Sequence, residues 1–209
     1  MRKHSLWQFD LRLFEGGPGV GVDEAGRGPL AGPVVACAVA FPGGGLSALS
    51  GLRDGKTLSH LQRKDLFSRA RKLGVRWSLG WSSAEEIDRI NILQASLLAM
   101  VRAVEGLEPP AGALIAIDGL YTLKLAWRQR TIIDGDAKSW SVTLAGVLAK
   151  VARDRWMERY DRRFPGYGLA DNKGYGTEQH REALKKLGPC PIHRRSFAPV
   201  AEAAAPSLS

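Results

Sequence analysis

The sequence predicts an α/β fold: a mixed five-stranded sheet flanked by helices, followed by a small helical C-terminal part. Two observations support this prediction. Near the start of the chain, apolar strand-like runs are separated by glycine- and proline-rich turns, as in a meander of antiparallel strands. Further along, apolar runs alternate with long segments of helical periodicity, which is typical of α/β proteins.

The first two strands are predicted to form a hairpin. Val20 to Asp23 is a short apolar run that ends in acid, and Val34 to Phe41 is a longer, valine-rich run. Gly26-Arg27-Gly28-Pro29 breaks the chain between them, and Pro42-Gly43-Gly44-Gly45 ends the second run. Glycine and proline in these positions are strong turn signals, so two neighbouring strands are expected here. Before them, residues around Gln8 to Leu11 favour an amphipathic helix over a peptide that binds a sliding clamp.

Helices and strands alternate in the middle of the chain. Ser59 is expected to cap a helix that runs to about Leu73. The alternating run from Val75 to Trp81 predicts a third strand. A capping box over Ser83 to Glu86 begins a helix that we expect to end near Gly106.

The second half of the chain continues the alternation. Ala113 to Asp118 predicts a fourth strand, and Arg130 to Asp134 predicts a fifth. A long helix is expected from about Lys138 to Tyr160. A glycine-rich loop, Pro165 to Gly176, precedes a last helix, which begins after Thr177 and ends at Gly188.

Composition is that of a globular protein with a core: 44% of the residues are hydrophobic and 24% are charged. We find no apolar run as long as a membrane span and no apolar segment typical of a signal peptide, so a cytoplasmic location is expected. The two cysteines, Cys37 and Cys190, form no C-x-x-C motif, which argues against a zinc cluster. A disulfide is not expected in that compartment.

Charge is unevenly distributed along the chain. The sequence carries 30 Lys and Arg against 21 Asp and Glu, a formal net charge of +9. The segment from Lys150 to Arg195 holds 12 basic and 6 acidic residues, and therefore most of the excess. Such a stretch is compatible with a solvated surface, but it is also typical of a site for a polyanion such as nucleic acid.

Three acids stand at the predicted strand ends. Asp23 closes the first strand, Glu24 adjoins it, and Asp118 closes the fourth. If these strands are neighbours, their carboxylates lie at one end of the sheet and repel one another unless a cation lies between them. Oxygen ligands alone favour Mg²⁺ or Mn²⁺ over zinc.

Two further acids have competing interpretations. Asp154 continues the apolar face of the long helix, where a charge is costly unless it is paired. It is either a fourth metal ligand, which we favour, or the partner of Lys150 one helical turn earlier. Asp134 and Asp136 flank Gly135, as in a turn that ends a strand. Asp136 could approach a second metal ion, but the pattern ranks it below the other four acids.

The segment Gly21 to Val35, with Asp23-Glu24-Ala25-Gly26-Arg27-Gly28 at its centre, resembles the signature of type 2 ribonuclease H, bacterial ribonuclease HII. Further segments are similar to that family and occur in its order, from about Val20 to Val200: Asp54 to Ser59, Ile115 to Gly119, Leu148 to Asp154, Lys173 to Tyr175 and His193 to Phe197. The resemblance implies a ribonuclease H-like fold. We expect a catalytic domain over residues 1–165, a helical substrate-binding extension over 166–200 and a disordered tail over 201–209.

The resemblance also implies the activity. A member of this family would be a metal-dependent endonuclease that hydrolyses the RNA strand of RNA–DNA hybrids and cuts 5′ of single ribonucleotides in duplex DNA. Its products would carry 5′-phosphate and 3′-hydroxyl ends, and two ions about 3.5–4 Å apart would straddle the scissile phosphate. The implied ligands of Mg²⁺ or Mn²⁺ are four carboxylates: Asp23, Glu24, Asp118 and Asp154.

The resemblance assigns substrate contacts as well. Backbone groups of Gly26, Arg27 and Gly28 would read the ribose 2′-hydroxyl, and Tyr175 would pack on the sugar beyond the ribonucleotide. The basic residues expected at phosphates are Lys56, Arg153, Lys173, Arg194 and Arg195. His193 is interpreted as a hydrogen-bonded structural residue rather than a proton shuttle. We expect a monomer whose partners are nucleic acids, with no membrane and no obligate protein partner.

The chain departs from the family pattern at four positions. Gly55 and Thr57 stand where serine and lysine are usual, which predicts weaker phosphate binding by that loop. Leu120 replaces a frequent asparagine, and Gly146 a frequent serine. None of these departures affects the four acids, so they bear on affinity rather than on the type of reaction.

Three other functions compete with this interpretation. Another two-metal nuclease or transposase of similar fold would leave the ribose-reading turn unexplained. A non-catalytic RNA- or hybrid-binding module would have no need of the acids, which repel phosphate in the absence of metal. A dinucleotide-binding protein is rejected, because a strand-like run with Pro29 and Pro33 follows the glycine turn where a helix is required.

Overall fold

The computed structural model describes residues 5–42, 52 and 58–204. Five strands form one sheet in the order β3-β2-β1-β4-β5. β1 pairs antiparallel with β2, and β2 pairs antiparallel with β3, while β1 and β4, and β4 and β5, are parallel. The mixed five-stranded sheet is therefore confirmed. The strands are β1 (Gly19–Ala25), β2 (Val34–Phe41), β3 (Trp77–Ser82), β4 (Leu114–Asp118) and β5 (Arg128–Ile132).

Eight helices surround the sheet within these residues: α1 (Leu6–Leu13), α2 (His60–Lys72), α3 (Ala84–Leu107), α4 (Gly135–Lys138), α5 (Trp140–Arg163), α6 (Leu169–Asn172), α7 (Glu178–Leu187) and α8 (Ala198–Ala204). Side-chain capping marks several of their starts. The hydroxyls of Ser5, Ser59 and Ser83 each accept a hydrogen bond from a backbone N–H of the first turn, and a glutamine or glutamate side chain completes each capping box.

The two faces of the sheet carry separate cores. On one face, α3 packs across β3, β2 and β1 and buries Ala95, Ala99 and Ala103 completely. On the other face, α5 packs with α1 and α2 and buries Trp140, Leu144 and Leu148. Burial on both faces explains why β2 reads as a continuous apolar run rather than an alternating one.

Helix α3 has two unusual properties. Among the described residues, it is the one helix long and apolar enough to cross a membrane, although the sequence showed no continuous apolar run of that length. Its packing on the sheet accounts for that composition. It is also kinked at Asn91, whose φ is 67°, and the Asn91 side chain accepts a hydrogen bond from the Gln94 amide at 3.1 Å, which caps the helix again after the kink.

Helix α1 is anchored to the start of α5. The Asp10 side chain is fully buried, and its Oδ2 accepts a hydrogen bond of 2.8 Å from the Ser141 amide in the first turn of α5. Burial raises the pKa of Asp10 above its ordinary value. The helix expected near Gln8 is present.

The structure differs from the predicted elements in three places. β5 begins two residues earlier than expected and ends at Ile132, because Asp134 adopts the left-handed conformation and starts α4. The short helix α6 lies within the predicted loop 165–176. Helix α8 extends to Ala204, into the tail expected to be disordered, because its alanines favour helix and Val200 is buried against the C-terminal helices. Residues 205–209 lie outside the described part.

Candidate active site

Two of the predicted acids stand side by side at one end of the sheet. Val22 of β1 pairs with Ile117 of β4, so the next pair in this parallel register is Asp23 and Asp118. Asp23 is 8% exposed, and its Oδ1 accepts a hydrogen bond of 2.7 Å from the Glu24 amide. Neighbouring parallel strands thus bring together two acids that lie 95 positions apart in the sequence.

Glu24 occupies the next position of β1 and connects two cavities. It lines one cavity of about 200 Å³ with Asp23, and a second with Asp118 on the other side. Arg27 contacts it from the following turn, with Nη1 3.4 Å from Oε1. The Ser96 hydroxyl also donates a hydrogen bond to it from α3.

Asp136 is the fourth acid that the structure places with this group. It lies in α4, is 9% exposed, and lines the same cavity as Asp23 and Glu24. The turn that carries it is fixed to the site, because the Gly135 amide donates a hydrogen bond of 2.7 Å to Oδ1 of Asp118. The sequence pattern ranked Asp136 last. The sequence pattern that could have identified Asp136 is the Asp-Gly-Asp turn directly after a strand. That pattern is equally typical of an ordinary loop.

Asp154, which was favoured as the fourth ligand, lies elsewhere. Helix α5 touches Asp23 at Gly146, where a Cβ atom would collide with the Asp23 carboxylate. Asp154 is eight residues further along, roughly 12 Å at 1.5 Å per residue. Its Oδ1 is 2.7 Å from the Lys150 ammonium and its Oδ2 is 3.9 Å from Nδ1 of His60. The i−4 partnership with Lys150 therefore accounts for its burial.

Burial and the neighbouring negative charges raise the pKa of two of these acids, Asp23 and Glu24. Burial, followed by the charges of Glu24, Asp118 and Asp136, raises the pKa of Asp23 well above its ordinary value. Burial also raises the pKa of Glu24, Arg27 opposes that shift, and Asp118 adds to it. Among the described residues, no three His, Cys, Asp or Glu side chains lie close enough together to form a complete metal-binding group. A divalent cation bound between these neighbouring carboxylates would offset the repulsion between their negative charges.

Two buried arginines hold the turn that follows Glu24. Arg194 donates from Nε to the Gly32 carbonyl at 3.0 Å and from Nη1 to the Arg27 carbonyl at 2.7 Å, and its Nη2 donates to the Gly26 carbonyl. Arg153 donates to the carbonyls of Pro33, Ala31 and Lys173 at 2.9–3.0 Å. Both guanidinium groups thus face the protein, which is the placement of positioning residues rather than of the expected phosphate contacts.

Position 26 requires glycine for two reasons. Its φ is +97°, a conformation that side chains rarely adopt, and a Cβ atom would collide with the Arg153 side chain. The same packing leaves Arg27 and Gly28 exposed. The turn therefore presents its outer surface beside the acids while its carbonyls are held from within.

Tyr175 lies next to this turn. Its side chain is among the exposed large hydrophobic groups, at 45% exposure, and its Cε1 is 3.8 Å from the Cβ position of Gly28. The Lys150 ammonium is 5.8 Å from the centre of the tyrosine ring. The structure thus brings together the turn, Tyr175 and Lys150 at the edge of the acid cluster.

The remaining predicted contacts have different surroundings. The Lys173 ammonium is 3.1 Å from Oε1 of Glu158. Arg195 is exposed, and its backbone amide donates a hydrogen bond of 2.9 Å to Asp88. Lys56, together with Gly55 and Thr57, lies outside the described residues.

His193 belongs to a buried chain of hydrogen bonds. Its Nδ1 accepts from the Cys190 amide at 3.0 Å, and its Nε2 is 3.0 Å from Nε2 of His180, whose Nδ1 is 2.9 Å from the Tyr175 carbonyl. Burial, followed by the neighbouring His180, lowers the pKa of His193 to about 4. This arrangement supports the structural interpretation of His193.

Comparison with known proteins places this chain in a family. The family model described as ribonuclease HII matches residues 20–200. A ribonuclease HII of Syntrophotalea carbinolica is 50% identical over 182 residues, which cover 87% of this chain and 86% of that protein. The ribonuclease H2 of Pyrococcus horikoshii superposes with a TM-score of 0.73 at 26% identity and covers 90% of this chain and 97% of its own.

A second solved structure extends the likeness of fold. The structure of Bst-RNase HIII in complex with Mn²⁺ has a TM-score of 0.73 at 18% identity, with 97% of this chain and 74% of that chain covered. At this identity the likeness concerns the fold alone. It agrees with the five-stranded mixed sheet and its flanking helices.

Proposed function

Because the chain belongs to the ribonuclease HII family, and is thus a ribonuclease H type endoribonuclease that acts on RNA–DNA hybrids, we propose two specific reactions for it. It hydrolyses the RNA strand of hybrids, and it cuts on the 5′ side of a single ribonucleotide embedded in duplex DNA. Both reactions leave 5′-phosphate and 3′-hydroxyl ends. The cellular role that fits them is the removal of misincorporated ribonucleotides and RNA primers.

We propose Asp23, Glu24, Asp118 and Asp136 as the residues that hold the divalent cations. Their donor set fits Mg²⁺ or Mn²⁺, because it consists of carboxylate oxygens whose repulsion a cation would relieve. When bound, such ions activate water and stabilise the leaving oxygen. Asp136 replaces Asp154 in this set.

The protein itself selects ribose and positions the strand. Arg194 and Arg153 hold the turn from its buried side by hydrogen bonds to its carbonyls, while Gly28 is exposed on the other side, where a 2′-hydroxyl would lie. The 2′-hydroxyl is the group by which RNA differs from DNA at a given nucleotide. Tyr175, next to Gly28, offers a flat apolar face to the following sugar, which suits a deoxyribose.

Phosphate binding is assigned to exposed basic side chains around this centre. Arg195 fits that role, because its side chain is exposed while its amide is fixed by Asp88. Lys173 fits it less well, since Glu158 already pairs with its ammonium. Such contacts orient a duplex without reading its sequence. We further infer that the protein acts as a cytoplasmic monomer with nucleic acid as its partner.

One observation carries this function most directly: the carboxylates lie beside a turn whose carbonyls Arg194 holds from within and whose Gly28 is exposed. The test compares three duplexes, each with and without Mg²⁺: an RNA–DNA hybrid, all-DNA, and DNA with one ribonucleotide. We expect Mg²⁺-dependent cutting of the first and third and none of the all-DNA duplex. Equal cutting of all-DNA would indicate a general two-metal nuclease, and binding without cutting would indicate a non-catalytic module.

A further inference from the structure

Lys150 connects the acid cluster to Tyr175. Positions 146, 150 and 154 follow one another along one face of α5 at intervals of about one turn. Gly146 touches Asp23, and Lys150 lines the same cavity as Asp23, Glu24 and Asp136. The Lys150 ammonium also lies 5.8 Å from the Tyr175 ring centre. A cation therefore stands between the proposed metal ligands and the aromatic residue beside the turn.

Asp154 holds this ammonium in place. The Lys150 Nζ lies 2.7 Å from Oδ1 of Asp154, whose side chain is 7% exposed, while the Lys150 side chain is 29% exposed. An ammonium group has three N–H donors, and Asp154 engages one side of it. The Lys150 side chain also lines the cavity that holds the acids, so the residue can be reached from it.

The order of groups along a substrate strand matches the order of residues in the protein. If the proposed function is correct, the scissile phosphate lies at the carboxylates, the ribose at the Gly26 turn and the next deoxyribose at Tyr175. One further phosphate joins that ribose to that deoxyribose. It must pass close to the turn and Tyr175, and the Lys150 ammonium lies 5.8 Å from the centre of the Tyr175 ring, which itself contacts the Gly28 position.

We propose that Lys150 binds the phosphate on the 3′ side of the ribonucleotide, and that Asp154 is a positioning residue for Lys150. The inference rests on the proposed function and extends it to one further substrate group. It also gives the buried acid of α5 a role other than metal binding. The ammonium contributes a point charge at a phosphate, which orients the strand for cutting one linkage upstream.

Nicked duplexes test this contact by removing a single phosphate. The ribonucleotide is the 3′-terminal residue of one strand, and the adjoining DNA strand begins with either a 5′-phosphate or a 5′-hydroxyl. Cutting 5′ of the ribonucleotide shortens the first strand by one nucleotide. We expect wild-type kcat/KM to be about tenfold higher with the 5′-phosphate, as for a hydrogen bond to a charged group. Lys150→Met should cut both substrates at the same, lower rate.

Controls separate the contact from folding and from general charge. Lys185→Met removes an exposed lysine of α7 and should keep the wild-type preference. Because Lys150→Met removes the hydrogen-bonded cation from a buried carboxylate, the double variant Lys150→Met/Asp154→Asn provides a second test without that charge. A retained 5′-phosphate preference in the double variant overturns the inference, as does a wild type without any preference. Failure to cut a continuous single-ribonucleotide duplex would instead overturn the proposed function.

The role of Asp154 is tested by metal binding. Asp154→Asn should reduce the 5′-phosphate preference but bind Mn²⁺ as tightly as the wild type in a calorimetric titration. Asp136→Asn should bind Mn²⁺ more weakly. Weakened Mn²⁺ binding by Asp154→Asn, with an unchanged phosphate preference, would make Asp154 a metal ligand and overturn its positioning role.

Discussion

At the scale of single residues, the acids of the site lower the stability of the fold because they are buried close together, and they are the proposed ligands of the divalent cations. We expect Asp23→Asn, Asp118→Asn and Asp136→Asn each to lower kcat/KM on a hybrid substrate by about 100-fold or more while the protein stays folded, because each removes a proposed metal ligand. Asp65→Asn is the matched control, since Asp65 lies on α2 with its side chain 67% exposed. Wild-type turnover by two of the three variants would contradict the assignment.

The raised pKa of Asp23, caused by burial and by the neighbouring acids, predicts that the free energy of unfolding depends on pH. The pKa of Asp23 is raised in the folded state, so the folded protein holds its proton more tightly than the unfolded chain does. The stabilisation is present below the ordinary Asp pKa of about 4 and is lost as the pH rises through the raised pKa. In metal-free urea unfolding, Asp23→Asn should gain stability relative to wild type as the pH rises above about 4. A difference in stability between the variant and the wild type that does not change with pH would contradict a raised pKa at Asp23.

Asp136 and Asp154 show what can be predicted for a residue from sequence. The apolar stripe of α5 correctly predicted that Asp154 is buried, and Lys150 at i−4 was recognised as the alternative to a metal. The importance of Asp136 depends on the hydrogen bond between Gly135 and Asp118, which joins two segments 17 residues apart. Periodicity within one element does not encode such a contact.

At the scale of elements, the turn between β1 and β2 depends on side chains from distant parts of the chain. Arg194→Lys keeps the charge but lacks the planar fork that reaches three carbonyls, so we expect a loss of about 3 kcal/mol in the free energy of unfolding. Arg195→Lys, one residue on and exposed, should change it by less than about 0.5 kcal/mol. Similar losses in both variants, measured by urea unfolding, would contradict the structural role of Arg194.

Element types were more predictable than their ends. The capping boxes at Ser59 and Ser83 and the apolar runs of β1, β2 and β4 are local signals, and they correctly indicated the elements they begin or form. The start of α4 at a left-handed Asp134, and the burial of Val200 that supports α8, depend on tertiary packing. The inward orientation of Arg153 and Arg194 was not predictable either, because basic motifs at a phosphate site and basic side chains that hold a loop look alike in sequence.

At the scale of the whole molecule, the net charge of +9 predicts that the protein binds a duplex mainly through electrostatic attraction to its phosphates. The affinity of an inactive Asp23→Asn variant for duplex should fall steeply as salt rises. Arg195→Gln should flatten the slope of log affinity against log salt by about one unit, the value expected for one lost phosphate contact. The measurement is fluorescence anisotropy at several salt concentrations. An affinity that does not depend on salt would contradict this account.

One ribose, recognised beside the four proposed carboxylate ligands, should be sufficient for cutting. The most direct measurement maps the cut in a DNA duplex that contains a single ribonucleotide, in Mg²⁺, for the wild type and for Asp136→Asn. We expect one cut on the 5′ side of the ribonucleotide, with 5′-phosphate and 3′-hydroxyl ends, and its loss in the variant. A strict need for several consecutive ribonucleotides, or an undiminished cut by Asp136→Asn, would contradict it.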